Sequence, residues 1–162
     1  MSDFDALVHH NRGRLYRLSR AYSDSPDAAA DLHQEMLLQL WRAWPGFAGR
    51  AQASTWLYRV ALNTAISQWR YRPVSTADYQ DHEQASAEPG PDVASEQQQL
   101  LEAVNRALKT FNEVDRALVL LYLEQYSYAE MADVIGLTTN AVGVKLNRLK
   151  QRLSQMLEEG GQ

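Results

Sequence analysis

The sequence predicts an all-α protein made of two small helical domains. Three observations lead to this prediction. Along most of both halves, apolar residues recur at spacings of three and four, the period of an amphipathic helix. Residues 73–95 contain three prolines and no apolar period, so we expect a flexible linker there. Near the C-terminus, two short helical patterns are joined by a glycine, as in a helix-turn-helix. We therefore expect a three-helix bundle in residues 1–72 and a four-helix domain in residues 96–162.

Composition excludes several classes of protein. The chain has 162 residues and no cysteine, so disulfides and thiolate metal sites are excluded, and no cofactor or metal is expected. No apolar run approaches the ~18 residues of a membrane span, so no membrane insertion is expected. The N-terminus lacks the apolar core of a signal peptide, and we expect a cytoplasmic protein.

The net charge of −4 is unevenly distributed. Residues 1–72 carry nine arginines and six acidic residues, whereas residues 73–95 carry five acidic residues and no basic one. Residues 96–162 carry seven basic and nine acidic residues, but their last predicted helix is basic. Because contacts with phosphate depend on local charge, both halves can bind a polyanion despite the overall sign.

Three helices are predicted in the N-terminal domain. The first covers residues 3 to about 22. Four arginines lie off its apolar stripe and are interpreted as solubilising charge: Arg12, Arg14, Arg17 and Arg20. The second starts at Ser25, which is followed by a proline suited to the first helical turn, and ends near residue 44. The third covers residues 55–71.

Two parts of this domain suggest binding surfaces. The second helix combines acidic and apolar residues around Trp41, which suits a protein interface, although burial of Trp41 within its own domain is equally compatible with the composition. Between Met36 and Ala77 there are five arginines and no acidic residue, with Trp56 and other aromatic residues among them. Such a stretch suits single-stranded nucleic acid, whose bases stack on aromatic rings. Packing in a helical core explains Trp56 as well, and both interpretations can hold.

In the C-terminal domain, the first helix covers residues 96–109. Four of its apolar residues are expected to face inward: Leu100, Leu101, Val104 and Leu108. The next helix, residues 113–124, follows a capping Asn112 and is apolar nearly all round, so we expect it to be buried. The helix-turn-helix completes the domain, and its last helix extends to about residue 157.

The helix-turn-helix prediction depends on local signals. Ser127 and Glu130 have the spacing of a capping box, and Gly136 accepts the left-handed conformation that often ends a helix. Thr138 or Thr139 then caps a helix whose residues 139–156 include four basic residues and no acidic one. A basic second helix of this kind enters the major groove of DNA in many regulators. An ordinary helical hairpin with a solvated basic face has the same pattern.

Together the two halves resemble the bacterial sigma factor family, specifically its extracytoplasmic-function (ECF) type. The most specific segments are AAADLHQEMLLQLWRAWPGF and STWLYRVALNTA, which are similar to region two of the family and retain its D-x-x-Q-E and WLYRVAxN runs. The segment SYAEMADVIGLTTNAVGVKLNRLKQRL is similar to region four. An acidic linker stands in the place of region three, as in this subtype.

The resemblance implies three functional surfaces. The residues that match the surface docking on core RNA polymerase are Asp31, Gln34, Glu35, Leu38 and Trp41. Those that match the part melting the downstream promoter element and holding its non-template strand are Phe47, Arg50, Trp56, Arg59 and Asn63. Those that match the positions reading the upstream element in the major groove are Thr139, Asn140, Gly143, Val144, Lys145, Asn147 and Arg148. Gly143 and Val144 depart from the basic and small polar residues common there, so a weaker or differently specific upstream contact is expected.

The resemblance also implies a function. It implies a factor without catalytic residues that lends promoter specificity to core RNA polymerase and that an anti-sigma factor holds inactive. The main alternative is a stand-alone helix-turn-helix regulator, which would need a sensor or dimerisation domain where this chain has an arginine-rich and aromatic block. A third class, a protein-interaction module such as an anti-sigma or adaptor protein, is disfavoured by the basic recognition helix.

Overall fold

The computed structural model describes residues 2–47, 49, 52–72 and 95–160. In these ranges the protein contains eight α-helices, a single 3-10 turn at Trp44–Gly46 and no β-strand, which confirms the all-α prediction. The helices are α1 (Asp3–His10), α2 (Arg12–Ala21), α3 (Pro26–Ala43), α4 (Ala53–Tyr71), α5 (Glu96–Leu108), α6 (Glu113–Leu123), α7 (Tyr128–Ile135) and α8 (Thr139–Gly160). The predicted linker, apart from Ser95, lies outside the described residues, as does Arg50.

Side-chain caps set the start of several helices where the sequence predicts them. At the start of α3, Ser25 Oγ accepts the Ala28 N–H at 3.1 Å. At the start of α6, Asn112 Oδ1 accepts the Asp115 N–H at 2.8 Å. Each cap satisfies a backbone donor that the first helical turn leaves without an intrahelical acceptor.

The first predicted helix is divided at Asn11 into α1 and α2. Asn11 is buried, with backbone angles of φ −104° and ψ 14°. Its side-chain amide donates a hydrogen bond to the Leu7 carbonyl at 2.9 Å. An asparagine side chain that bonds to nearby backbone competes with the regular helical ladder, which explains the break at this position. On the N-terminal side of the break, Phe4 of α1 contacts the rings of Trp41 and Trp44.

The prediction for α5 is wrong at two residues. Leu108 is buried and Val104 is half-buried, but Leu100 and Leu101 are 56% and 51% exposed. The first turns of α5 extend past the packed core, and Leu100 lines an open groove between α5 and the end of α8. The helical period identifies an apolar stripe, but it does not show along which part of the stripe another helix covers it.

One apolar core runs through helices from both halves of the chain. The side chains that contribute to it and are fully buried include Leu15, Leu18, Met36, Leu57, Leu108, Leu118, Leu121 and Met131. Tyr58 of α4 and Tyr126, which follows α6, lie with ring centroids 5.3 Å apart. The N-terminal and C-terminal helices therefore pack against each other in this structure.

Candidate polymerase and nucleic-acid interfaces

One face of α3 combines acidic, amide and apolar side chains. Asp31, Gln34, Leu38 and Trp41 are exposed and Glu35 is half-exposed, at spacings that put all five on one side of the helix. Trp41 is 61% exposed, which excludes its burial within its own half. Exposure of this large aromatic beside carboxylates gives the face the composition of a protein-binding site.

The edge of the α3 face is continuous with an aromatic cluster. The Phe4 ring packs edge-on against Trp41 at 5.3 Å and against Trp44 at 5.5 Å. Trp44 in turn stacks on Phe47 at 5.5 Å, and Phe47 lies 4.9 Å from Trp56. Phe47 and Trp56 are each half-buried, so the structure brings these two predicted residues together beside the start of α4. Trp56 is also packed against the core, as the second interpretation of it required.

Two further residues of the predicted downstream surface, Arg59 and Asn63, lie along α4, whereas Arg50 is outside the described residues. Asn63 is exposed one turn beyond Arg59. The Arg59 guanidinium forms an ion pair with the Asp133 carboxylate of α7, on the other half of the chain. Nearby, Thr55 donates to Glu130 Oε2 of the same helix at 3.2 Å. Arg59 is therefore occupied by protein here rather than free in solvent.

Local capping builds the helix-turn-helix as the sequence predicts. Ser127 Oγ accepts the Glu130 N–H at 3.1 Å, while Glu130 Oε1 accepts the Ser127 N–H at 2.9 Å, which completes the capping box. The hydrogen bond from the Ser127 backbone to this carboxylate lowers the pKa of Glu130. Gly136 ends α7 with φ 85°, and Thr138 Oγ1 accepts the Ala141 N–H at 3.0 Å to start α8. Of the two candidate caps, Thr138 is the one used.

Helix α8 has a buried side and a free side. Its buried residues are Val142, Leu146, Leu149 and Leu153. Its predicted DNA-facing residues are exposed, apart from the half-exposed Gly143; they are Thr139, Asn140, Val144, Lys145, Asn147 and Arg148. Lys145 Nζ lies 4.0 Å from an Asp115 oxygen, an ion pair at the limit of contact. The free side is thus a polar, basic helix surface of the kind that reads base edges in the major groove.

Sequence reasoning missed a buried arginine where the two halves meet. Arg116 is 1% exposed and donates hydrogen bonds at 3.0 Å to the carbonyls of Leu108 and Ala21. Its guanidinium also lies 4.3 Å from the Trp69 ring and 4.8 Å from the Tyr22 ring. Burial lowers the pKa of Arg116. In the sequence, Arg116 is a single basic residue at the start of an apolar run, and nothing near it indicates these partners.

A buried carboxylate was missed as well. Glu124 is 8% exposed, and its two carboxylate oxygens accept from Arg17 Nε at 2.6 Å and Arg17 Nη2 at 2.7 Å. Arg14 donates to the Glu124 carbonyl and to the Tyr126 hydroxyl, each at 3.1 Å. The hydrogen bond to Glu124 raises the pKa of Arg17, and burial raises the pKa of Tyr126 to about 12. The interpretation of Arg14 and Arg17 as solubilising charge is therefore wrong, because both bind the other half of the chain.

No helix among the described residues is long and apolar enough to cross a membrane. Over the same part of the chain, no group of three or more histidine, aspartate or glutamate side chains is arranged to hold a metal ion.

The fold and these surfaces define an all-α protein that carries a helix-turn-helix. Its sequence matches two family models, Sigma-70 region 2 over residues 7–73 and Sigma-70, region 4 over residues 101–153. It is 34% identical to the ECF RNA polymerase sigma factor SigG of Mycobacterium tuberculosis, over 93% of this chain and 48% of SigG. It is 28% identical to the RNA polymerase sigma-E factor of Streptomyces avermitilis, over 96% of this chain and 86% of that factor.

Two solved structures share the fold. The sigma factor RpoE of Bartonella quintana, solved with the anti-sigma factor NepR, has a TM-score of 0.73 and 22% identity, with 98% of each chain covered. CnrH, solved with the cytosolic domain of CnrY, has a TM-score of 0.68 and 20% identity, over 96% of this chain and 88% of CnrH.

The chain belongs to the sigma-70 family of RNA polymerase sigma factors and to its ECF type. It spans about half the length of SigG, at 48%.

Proposed function

We propose that this protein is an ECF sigma factor that binds core RNA polymerase, recognises the upstream and downstream promoter elements and assists strand opening. One observation carries the proposal. A single chain matches both region 2 and region 4, and it presents an exposed face around Trp41 on α3 and a free basic side on α8. A stand-alone helix-turn-helix regulator explains the second surface but not the first.

The proposal divides the work between two units. Residues 1–72 would bind polymerase and the downstream element, residues 96–162 would bind the upstream element, and residues 73–95 would connect them. The family matches, at residues 7–73 and 101–153, fall on either side of that connector and support this division.

The α3 face suits a partner that offers both cations and an apolar patch. Trp41 and Leu38, 61% and 40% exposed, would supply the apolar contact, and Asp31 and Glu35 would pair with basic side chains of polymerase. Aromatic residues dominate the binding energy of many protein interfaces, and a surrounding rim of charged residues excludes water from them. Trp41 is therefore the residue of this face on which binding should depend most.

The nucleic-acid contacts would be of two kinds. Phe47 and Trp56 would stack against unpaired bases while Arg59 and Asn63 contact the strand, because stacking on aromatic side chains stabilises bases that have left the duplex. On α8, side chains such as Arg148 would reach base edges in the major groove, where a good bidentate contact contributes about 1–3 kcal/mol of discrimination. The chain itself would catalyse no reaction, since polymerase makes the RNA.

The setting of the protein follows from this role. A factor that works on RNA polymerase works in the cytoplasm, in agreement with the expectation from the sequence. We also propose that an anti-sigma factor regulates it; the related fold of the Bartonella quintana sigma factor was solved in complex with such a protein.

Run-off transcription tests the proposal. Core RNA polymerase is supplied with genomic fragments in the presence and absence of the protein, and the 5′ ends of the transcripts are mapped. The proposal predicts new transcripts whose start sites share two upstream sequence elements. Transcripts that are unchanged by the protein, together with binding of duplex DNA by the protein alone, would favour the stand-alone regulator.

A further inference from the structure

Polar contacts hold the N-terminal helices α1–α4 against the C-terminal helices α5–α8. At one position Arg17 of α2 binds Glu124 through two hydrogen bonds. At another, Arg59 and Thr55 of α4 bind Asp133 and Glu130 of α7. We name these three contacts (Arg17–Glu124, Arg59–Asp133 and Thr55–Glu130) the latch. They are additional to the apolar core that the two halves share.

The burial of the Glu124 carboxylate depends on the contact between the two halves of the chain. A buried carboxylate is costly unless a cation and hydrogen bonds compensate it. Glu124 is 8% exposed, and Arg14 and Arg17 are the cations that pair with it in the described part of the chain. Both arginines belong to α2, so the pocket around Glu124 is complete only when the halves are together.

The contact between the two halves of the chain also covers the start of α4. Thr55 is 4% exposed beneath α7, and the Arg59 guanidinium is engaged by the Asp133 carboxylate. A carboxylate offers a guanidinium the same kind of charged oxygen acceptor as a DNA phosphate. The Asp133 carboxylate therefore binds the Arg59 guanidinium, which is the group that a DNA strand would contact.

From these contacts we infer that the free chain holds itself closed through the latch, and that helix α7 of the helix-turn-helix then competes with single-stranded DNA for Arg59. Closing within one chain needs only modest contacts, because the two surfaces are at a high effective concentration. The closure itself does not rest on the proposed function. The competition with DNA does, because it requires that Arg59 binds the strand.

The first test measures closure without DNA. The chain has no cysteine, so spin labels attached at Ser67→Cys and Ser154→Cys, two exposed serines on α4 and α8, report one distance by pulsed electron paramagnetic resonance. We expect a single narrow distance distribution. Combining the labels with Arg17→Ala and Asp133→Asn should broaden it towards longer distances.

Arg12→Ala is the matched control, because Arg12 lies on α2, is exposed and, among the described residues, interacts only with His9. It should leave the distribution narrow. A broad distribution in the unmodified labelled chain, unaltered by the latch substitutions, would overturn closure. Circular dichroism checks that every variant remains helical.

The second test locks the closed state. Arg70 and Glu113 form an ion pair between α4 and α6, outside the predicted site residues. In an Arg70→Cys, Glu113→Cys variant, a short bis-methanethiosulfonate linker would join the two positions, and a reducing agent would release them. Binding of a fluorescent, mixed-sequence single-stranded oligonucleotide is followed by anisotropy before and after reduction.

Locking should weaken binding at least tenfold, and reduction should restore it. The Arg17→Ala, Asp133→Asn variant should bind about tenfold more tightly than the unmodified chain, which corresponds to about 1.4 kcal/mol. Equal binding by the locked and released forms would overturn the competition. If the distances behave as expected but even the opened variant does not bind the oligonucleotide, closure is supported and the strand-holding role in the proposed function fails.

Discussion

Replacing Trp41 by alanine should weaken the binding of core RNA polymerase while leaving the fold of the chain intact. The side chain is 61% exposed, so its removal takes little apolar area from the core. Its main intramolecular contact is the edge-on packing of Phe4 at 5.3 Å. An aromatic pair of this kind contributes about 0.5–1.5 kcal/mol beyond buried area, and less is expected at an exposed position. For a chain of this length, a loss of about 1 kcal/mol lowers Tm by about 2–4 °C.

The effect on polymerase binding should be much larger. Loss of a central aromatic residue from an interface commonly costs about 2–4 kcal/mol. Each 1.4 kcal/mol is about tenfold in Kd, so Trp41→Ala should weaken binding to core RNA polymerase by about 30-fold or more. Fluorescence anisotropy of a labelled chain titrated with core enzyme measures this Kd, and thermal melting followed by circular dichroism measures stability.

Tyr16 supplies the matched control for Trp41. It is an aromatic residue of the same half, is 58% exposed and lies on α2, and it is not one of the residues assigned to the α3 face. Tyr16→Ala should leave the Kd for core enzyme within about twofold. Unchanged binding by Trp41→Ala, or equal weakening by both variants, would refute the assignment of the α3 face.

Four further predictions concern other parts of the chain. Gly136→Ala should lower stability by about 1–2 kcal/mol, because φ 85° strains any residue with a Cβ; urea denaturation measures this. Tyr58→Phe should leave Tm unchanged or raise it, because the Tyr58 hydroxyl is buried without a hydrogen-bond partner among the described residues. Arg148→Ala should shorten the upstream part of the DNase footprint of the holoenzyme, whereas Arg106→Ala, at an exposed arginine of α5, should not. The lowered pKa of Glu130 should make the capping box stabilising above pH 4.5, its ordinary value, and this stability should be lost as pH falls through the lowered pKa.

Each of these predictions has a contradicting result. A Gly136→Ala variant as stable as the unmodified chain would show that the backbone conformation at this position does not require glycine. A Tm lowered by several degrees in Tyr58→Phe would show that the hydroxyl has a partner in the folded chain. An unaltered footprint would exclude Arg148 from upstream recognition. For Glu130, the acid-induced loss should be smaller in Glu130→Gln, and an identical pH profile of stability in the two proteins would contradict the assignment.

The features that the sequence predicted correctly are those that local chemistry determines. Ser25, Asn112 and Ser127 cap helices through partners three residues away, and Gly136 ends a helix through its own backbone conformation. The grouping of Trp41 with the acidic residues of α3 was also predictable, because helical spacing alone puts them on one side of the helix, whereas the composition left the exposure of Trp41 open. In each case the relevant partners lie within a few turns of the same segment.

The features that were missed depend on partners far away in the chain. Arg17 and Glu124 are 107 positions apart, and Arg59 and Asp133 are 74 apart. No local pattern indicates that such residues meet, so Arg17 was interpreted as solubilising charge. The exposure of Leu101 has a related cause, since helical period identifies a stripe but not whether another helix covers it.

Action of this chain together with RNA polymerase can be tested by size-exclusion chromatography with purified bacterial core enzyme. We expect the protein to co-elute with core enzyme, and we expect the isolated complex to initiate transcription at promoters that core enzyme alone does not use. Elution of the protein at its own volume, with no change in transcription and with duplex DNA bound by the protein alone, would contradict a role with RNA polymerase.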